Sequence, residues 1–426
     1  MRILVAGASG AIGMPLVRML RHAGHQVVAV HRAPGSHVRL AEAGAVPVAA
    51  DVLDRPGLAR ALAGQRADAV IAELTALKKT PLRHADMAAT NRLRTEGTAN
   101  LLAAARQLGA RRFITASMVF GYGFGDWGGK VLTEADPFAP PGNGRFEQHL
   151  AALRACEQQV IGAEGMDGIA LRYGQFYGPG PASDALVAGL RRRRLPVTRA
   201  SGPVPWVYID DAASATLAAL QLGERGTAYN IADDEPVSMT VMLTAMAAAV
   251  GAPRPRAVPG WLLAPLPFGK AIITGGLRVA NAKAKAELGW QPQVPTYRDG
   301  LRLLASHYRP PARLAQQGRN PVMTHAKADG GRLLATRWLA QPGPSPPQGE
   351  DHAPVHSTGT RPSARPRAAR SGGAIPPAGI PASALSQAPR RMGARHGRPR
   401  AGSRIRRCLN LATWSPDASQ WRPAAS

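Results

Sequence analysis

The chain has 426 residues, 53 Lys/Arg against 27 Asp/Glu, and a formal net charge of +26. Two cysteines so far apart exclude a disulfide framework and suit a reducing cytoplasm. No stretch approaches the run of about 18 apolar residues a spanning helix needs, which argues against a membrane partner. Arg2 ahead of an apolar run mimics a signal peptide, but the run is short and ends in glycines better explained otherwise.

In chain order, Ile3–Ala6 reads as a buried strand, then come Gly7, Gly10 and Gly13, then a helical stretch Pro15–Ala23. Further strands are expected at Val27–Val30, Val46–Ala49, Ala69–Leu74, Phe113–Ala116 and Ile169–Arg172, with helices at Gly57–Leu62, Met87–Leu108 and Leu150–Ala163 between them. Strands alternating with helices predict an α/β fold, a doubly wound parallel sheet covered on both faces. From Arg309 onward the pattern is lost. Residues 310–426 hold 17 of the 38 prolines and 18 Lys/Arg against 4 Asp/Glu. Such a composition predicts a disordered basic tail. Without aromatic or helical patterning, it reads as a solvated polycation and not a specific nucleic-acid site.

The segment Gly7-Ala-Ser-Gly-Ala-Ile-Gly13 follows the first strand and opens the first helix. That context suits a turn whose backbone N–H groups cradle a pyrophosphate at a helix N-terminus. Gly7, Ser9, Gly10, Ala11, Ile12 and Gly13 are therefore cofactor-binding candidates. The second strand ends at Val30, followed by His31 and Arg32, with no acid to bond a ribose diol. Arg32 pairs readily with a 2′-phosphate, which favours NADP while leaving NAD open. Asp51 and Val52, after the third strand, are candidates for the adenine. Leu74 and Thr75, ending the fourth strand, are expected beneath the pyrophosphate.

The motifs together resemble an extended, atypical short-chain dehydrogenase/reductase of the NAD-dependent epimerase/dehydratase family. They are the glycine turn, Asp51-Val52, Asn91 with Gly97-Thr-Ala-Asn100, Leu171-Arg-Tyr-Gly-Gln-Phe-Tyr-Gly-Pro-Gly180, Trp206-Val-Tyr-Ile-Asp-Asp-Ala212, Tyr229-Asn-Ile-Ala-Asp-Asp-Glu-Pro236 and Asn281-Ala-Lys-Ala-Lys-Ala-Glu-Leu-Gly-Trp290. The resemblance covers about residues 1–308. It implies a Rossmann domain over 1–175, a substrate-binding part over 176–309, and Asn91 and Tyr173 as further cofactor contacts. It also implies an oxidoreductase acting on a small carbonyl or hydroxyl compound or a sugar derivative. Asp210 or Asp211 could instead cap the helix starting at Ala212, and Asn281 could cap that of Ala282–Leu288, which Gly289 would end.

Members of the family resemble one another in a Ser/Thr–Tyr–Lys set, with Tyr-x-x-x-Lys on the helix before the sixth strand. Here Gly144-Arg-Phe-Glu-Gln-His-Leu-Ala-Ala-Leu-Arg-Ala-Cys-Glu157 has neither residue. Anchoring on Glu157 puts His149 at the tyrosine position and Leu153 at the lysine position. For the hydroxyl position, counting from Phe120-Gly121 gives Ala116 and counting from Tyr122-Gly123 gives Ser117. Ser117 is preferred, as a polar residue expected to be exposed at a strand's C-terminal end. Catalytic candidates are thus Ser117, Tyr122 and His149, with Tyr173 and Tyr177 also able to move a proton. The missing pair keeps a second reading open, a non-catalytic NAD(P)-binding regulator or scaffold. Arg191-Arg-Arg-Arg194 is either a phosphate site or a solvated helix end. The two long helices could pair subunits into a homodimer.

Overall fold

The computed structural model describes residues 1–77, 81–199 and 201–308. The expected tail over 310–426, with Cys408, lies outside them. Seven parallel strands form the main sheet: β1 (Arg2–Ala6), β2 (Gln26–His31), β3 (Val46–Ala49), β4 (Ala69–Ala72), β5 (Arg112–Met118), β7 (Asp167–Tyr173) and β11 (Thr227–Ile231). A further strand, β6 (Asp126–Leu132), pairs outside this sheet with β13 (Gly276–Val279). Short strands β8 (Gln175–Tyr177), β9 (Pro203–Val204), β10 (Trp206–Tyr208) and β12 (Val237–Ser238) form two further pairs.

The main sheet runs β11-β7-β5-β4-β1-β2-β3, and each neighbour is parallel. The chain winds outward from β1 through β2 to β3, then crosses to β4 on the other side of β1. The winding reverses there, and open α/β sheets bind ligands beyond the carboxyl ends of the strands at such a reversal. The sequence motifs anticipated six of the strands as strands; β11 completes the edge.

Alternation along the strands divides the core. Ile3, Val5, Val27, Ala29, Ala69, Ile71 and Ile114 face α1 (Gly13–His22) and α8 (Ile209–Leu222). Leu4, Ala6, Val28, Val30, Val70, Ala72 and Phe113 face the opposite layer. That layer comprises α3 (Arg55–Ala61), the helix from Ala88 to Leu108, and α6 (Glu147–Ile161). Both faces being covered explains why the central strands β1, β2 and β4 are near-continuous apolar runs. Segments beyond residue 175 therefore belong to the sheet layers, namely α8 and β11.

The 88–108 helix is one rod in three pieces. α4 (Ala88–Arg92) and α5 (Thr98–Leu108) flank a π-helical turn at Leu93–Gly97, where the Thr98 N–H reaches back to the Leu93 carbonyl. The remaining helices are α2 (Ser36–Glu42), α7 (Pro181–Arg191), α9 (Met239–Ala249), α10 (Pro267–Thr274), α11 (Ala282–Glu287) and α12 (Tyr297–Tyr308). No helix among the described residues is long and apolar enough to cross a membrane.

The capping expectations need correction. The α8 helix starts at Ile209, and Asp211 caps nothing. Its buried carboxylate accepts from the Gln293 and Val294 N–H groups, both at 2.9 Å, and ties the segment before α12 to α8. Asn281 precedes α11 but donates instead to the Ala232 carbonyl and to Asp234. Gly289, with φ +57°, follows that helix as expected. Asp211→Ala should destabilise the protein by about 2–4 kcal/mol, since it leaves two backbone donors without their charged acceptor. Chemical denaturation of the two proteins would show it, and an unchanged midpoint would refute the tie.

Candidate functional site

Three groups of polar residues gather over the carboxyl ends of the strands and along α6. The first lies at the winding reversal. Gly7 adopts φ +84°, and a Cβ there would strike the Glu73 backbone carbonyl, so only glycine lets the turn pass directly over the end of β4. A Cβ at Gly13 would strike the Gly7–Ala8 backbone. The Gly10 N–H bonds to the Gly7 carbonyl at 2.9 Å and closes the turn. Gly10 and Ala11 are exposed at its tip, Ser9 is half-buried, and Ile12 turns into the core. The α1 helix behind them has no side-chain cap and no acid in its first turn. An open backbone cradle on a positive helix end fits a pyrophosphate.

Arg32 and Asp51, just past the ends of β2 and β3 on the side of the sheet next to β1, meet Nη1 to Oδ2 at 3.3 Å, with the Arg32 side chain 63% and the Asp51 side chain 37% exposed. Asp51 also accepts from the Leu53 N–H at 2.9 Å. Val52 is buried, and its carbonyl accepts from Asn100 at 2.9 Å. The fourth strand ends at Ala72, two residues sooner than the pattern suggested, so Leu74 and Thr75 lie on the following loop. Leu74 packs against the core, while Thr75 is exposed and accepts from the Leu77 N–H.

Glu73, the residue between, carried no motif signal. It is 8% exposed, and its N–H bonds back to the Ala6 carbonyl. Tyr173, fully buried at the end of β7, donates to Glu73 Oε1 at 2.9 Å and lies 2.6 Å from the Thr216 hydroxyl. Oε2 has no partner among the described residues. Burial pushes the Glu73 carboxyl up to about 8, against the opposing hydrogen bonds from Tyr173 and Thr216. An acid that burial keeps largely protonated at pH 7 thus sits beneath the glycine turn.

The second group is a buried network. Ser117 is 1% exposed, not at the surface, because the pleat turns Thr115 and Ser117 toward α6. Its hydroxyl donates to Glu157 Oε1 at 2.6 Å. Arg172 clasps Glu157 through Nε at 3.0 Å and Nη2 at 2.7 Å, and its Nη1 donates to the Tyr122 hydroxyl at 2.8 Å. Tyr122 has acceptors at 2.9 Å in both the Asn230 side chain and the Thr133 carbonyl. The Arg172 guanidinium stacks 3.8 Å from the Phe138 ring centroid. Burial raises the Tyr122 phenol, and the Arg172 charge only partly offsets it. Ser117 and Tyr122 are therefore in one network, with every hydroxyl engaged. Tyr177, also buried, donates to the Thr296 carbonyl, and burial raises its phenol too.

The third group holds His149, two helical turns from Glu157 on α6. Asn91 donates from Nδ2 to His149 Nδ1 at 2.9 Å, and His149 Nε2 contacts His84 Nδ1 at 2.9 Å. The two imidazoles are coplanar within 3°. Phe146 and Phe268 pack edge-on against His84, and Phe124 packs on both phenylalanines. His149 is 1% exposed, and its pKa falls to about 4, first through burial and then through His84 and Arg94. The structure thus joins Asn91 to His149 but places them apart from Ser117 and Tyr122. Leu153, which the family resemblance would put at the lysine position, is buried apolar core. The Arg191–Arg194 run is exposed and ends α7, where cations offset the helix dipole.

Fold and site together define an NAD(P)-dependent, oxidoreductase-like protein built on a doubly wound dinucleotide fold. The chain belongs to the NAD dependent epimerase/dehydratase family, whose model matches residues 3–232. A 3-diazoavenalumate denitrifying reductase from a Streptomyces species is 38% identical over 316 residues, covering 71% of this chain and 99% of that protein. A 2-alkyl-3-oxoalkanoate reductase from Stenotrophomonas maltophilia is 31% identical, covering 60% of this chain and 77% of its own length. Among solved structures, a Thermus thermophilus UDP-glucose 4-epimerase in complex with NAD is 26% identical with a TM-score of 0.57, covering 72% of this chain and 99% of that one. A Thermotoga maritima UDP-glucose 4-epimerase, at 22% identity and TM-score 0.60, shares the fold, with 72% and 98% covered.

Glu73 makes the protein's stability depend on pH. The folded state holds a proton that the unfolded chain releases above its ordinary value of 4.5, so stability falls as pH rises from there through about 8. Glu73→Gln should flatten that slope by roughly 1.4 kcal/mol per pH unit, one proton's worth. Asp233, which burial also pushes up to about 8, keeps its own share of the slope. Unfolding measured from pH 5 to 8 would test this, and parallel wild-type and variant slopes would count against it.

Proposed function

We propose that this chain is an NADP-dependent reductase of a small electrophile. The observation that carries the reading is the open glycine cradle with Arg32 just past the end of the neighbouring β2. The exposed Arg32–Asp51 pair is worth only about 0–1 kcal/mol, so a 2′-phosphate competes easily for the guanidinium. The Gly10–Gly13 backbone and the start of α1 would hold the pyrophosphate, and Val52 would pack on the adenine. Asn91 Oδ1, buried without a partner among the described residues, is available to accept from a ribose hydroxyl. When bound, the nicotinamide supplies a hydride equivalent. Phe124, Phe146 and Phe268 build an apolar aromatic wall against His149 and His84.

The chain's own residues supply little general acid. Ser117 and Tyr122 are committed to the Arg172–Glu157 network, His149 is neutral at pH 7, and Leu153 cannot lower a phenol's pKa. This favours substrates whose reduction generates no oxyanion. The diazo compound named for the Streptomyces relative is of that kind: a hydride delivered to the ring carbon of its diazonium form makes the C–H bond while the C–N electron pair leaves with dinitrogen, so no alkoxide forms and no proton is called for. The oxoalkanoate named for the Stenotrophomonas relative would need a proton from water. The second reading, an NAD(P)-binding regulator without turnover, draws on the same missing pair.

NADPH oxidation by the purified chain is expected with an arene diazonium salt, above the enzyme-free rate and with matching nitrogen release. NADPH binding without oxidation of diazonium or 3-oxo acid would favour the regulator. Arg32→Asp should weaken NADPH binding at least tenfold, as read by nicotinamide fluorescence, and leave NADH within about twofold, the loss expected for one charge-assisted phosphate contact. An unchanged NADPH/NADH affinity ratio would show that Arg32 does not read the phosphate.

A further inference from the structure

Where the family resemblance would put a tyrosine, this chain has a histidine with both ring nitrogens engaged. His149 Nδ1 faces Asn91 and Nε2 faces His84, each at 2.9 Å. The direction of these bonds follows from the neighbours. Asn91 Nδ2 also lies 3.4 Å from the Gln148 carbonyl, which assigns the amide nitrogen, and not its oxygen, to that side. His149 Nδ1 is then the acceptor, and its proton sits on Nε2. That proton is donated to His84 Nδ1, which leaves the His84 proton on Nε2. His84 Nε2 is buried and has no partner among the described residues. A buried donor left unmade is costly, and such a group calls for an explanation.

The surroundings of His84 supply one. Its ring is held edge-on by Phe146 and Phe268, and Phe124 closes the aromatic wall. The 3₁₀ turn His84–Met87 that carries it is fixed by Asp86 accepting from the Leu82 and Arg83 N–H groups. We infer that His84 is the catalytic residue that donates a hydrogen bond to the substrate, a flat aromatic molecule with an acceptor atom conjugated to its ring. Asn91 and His149 are positioning residues that fix the His84 tautomer. The inference rests on the reductase reading only in taking this wall as the substrate side of the site.

Full-length protein saturated with NADPH can be tested with two matched probes, benzaldehyde and styrene, which differ by an acceptor oxygen in place of CH₂. Ligand-observed NMR should show benzaldehyde binding about five- to tenfold more tightly, the worth of one recovered hydrogen bond. His84→Phe, which keeps the ring packing, should abolish that preference while leaving styrene and NADPH affinities unchanged. His84→Gln should restore part of it. Long-range ¹⁵N–¹H spectra should show both histidines protonated at Nε2, and Asn91→Leu should let His149 populate the other tautomer. Equal binding of the probes to the wild type, a preference that survives His84→Phe, binding of neither probe, or a His84 proton on Nδ1 would each overturn the inference. Absence of NADPH turnover with the probe preference intact would sink the reductase reading alone.

Discussion

The contact on which the rest depends is the passage of the first turn across the end of β4. At Gly7 the backbone lies so close to the Glu73 carbonyl that no side chain fits between them. That approach joins the two halves of the sheet at the place where the winding reverses. It opens Gly10 and Ala11 to the crevice and sets α1 with its uncapped end toward the same space. It also buries Glu73, whose neutrality follows from having no room for water. An open backbone turn and an uncharged acid beneath it are thus two results of one steric condition.

The buried Arg172–Glu157 pair explains why residues that look catalytic in the sequence do structural work. An ion pair 7% and 5% exposed needs every remaining lone pair and proton satisfied, and Ser117, Tyr122 and, through Tyr122, Asn230 do this. The network pins β5, β7, β11 and α6 together at the edge of the site. Hydroxyls spent in this way are poor proton carriers, because moving a proton would break a bond that holds the pair.

Much of the fold was legible because both sheet faces are covered, so strands such as Val27–Val30 appear as plain apolar runs. The glycine turn was legible because its spacing, its strand and its helix coincide. Burial of side chains was harder to read. Ser117 looked exposed because it is polar and near a strand's end, but the pleat turns it toward α6. Asp211 looked like a cap because it stands near a helix start, yet its partners lie some 80 residues away. Glu73 was detectable in principle as an acid directly after a buried strand. His84 was not, since its meaning depends wholly on His149 and Asn91, which reach it only through the tertiary fold.

The π-helical turn at Leu93–Gly97 has a consequence for how this gene can change. A π turn carries one residue more than the α-helix it interrupts, so α4 is out of phase with α5 by about one residue, or 100° of rotation. Deleting any one codon from this stretch would let the rod close into a regular α-helix. The downstream face, with Leu101, Leu102 and Ala105 in the core, would keep its phase. Asn91 would swing a quarter-turn or more away from α6, and the buried Thr90 and Met87 would turn out of the core with it. The same extra residue therefore sets which face of α4 turns toward α6, and with it where Asn91 stands relative to His149.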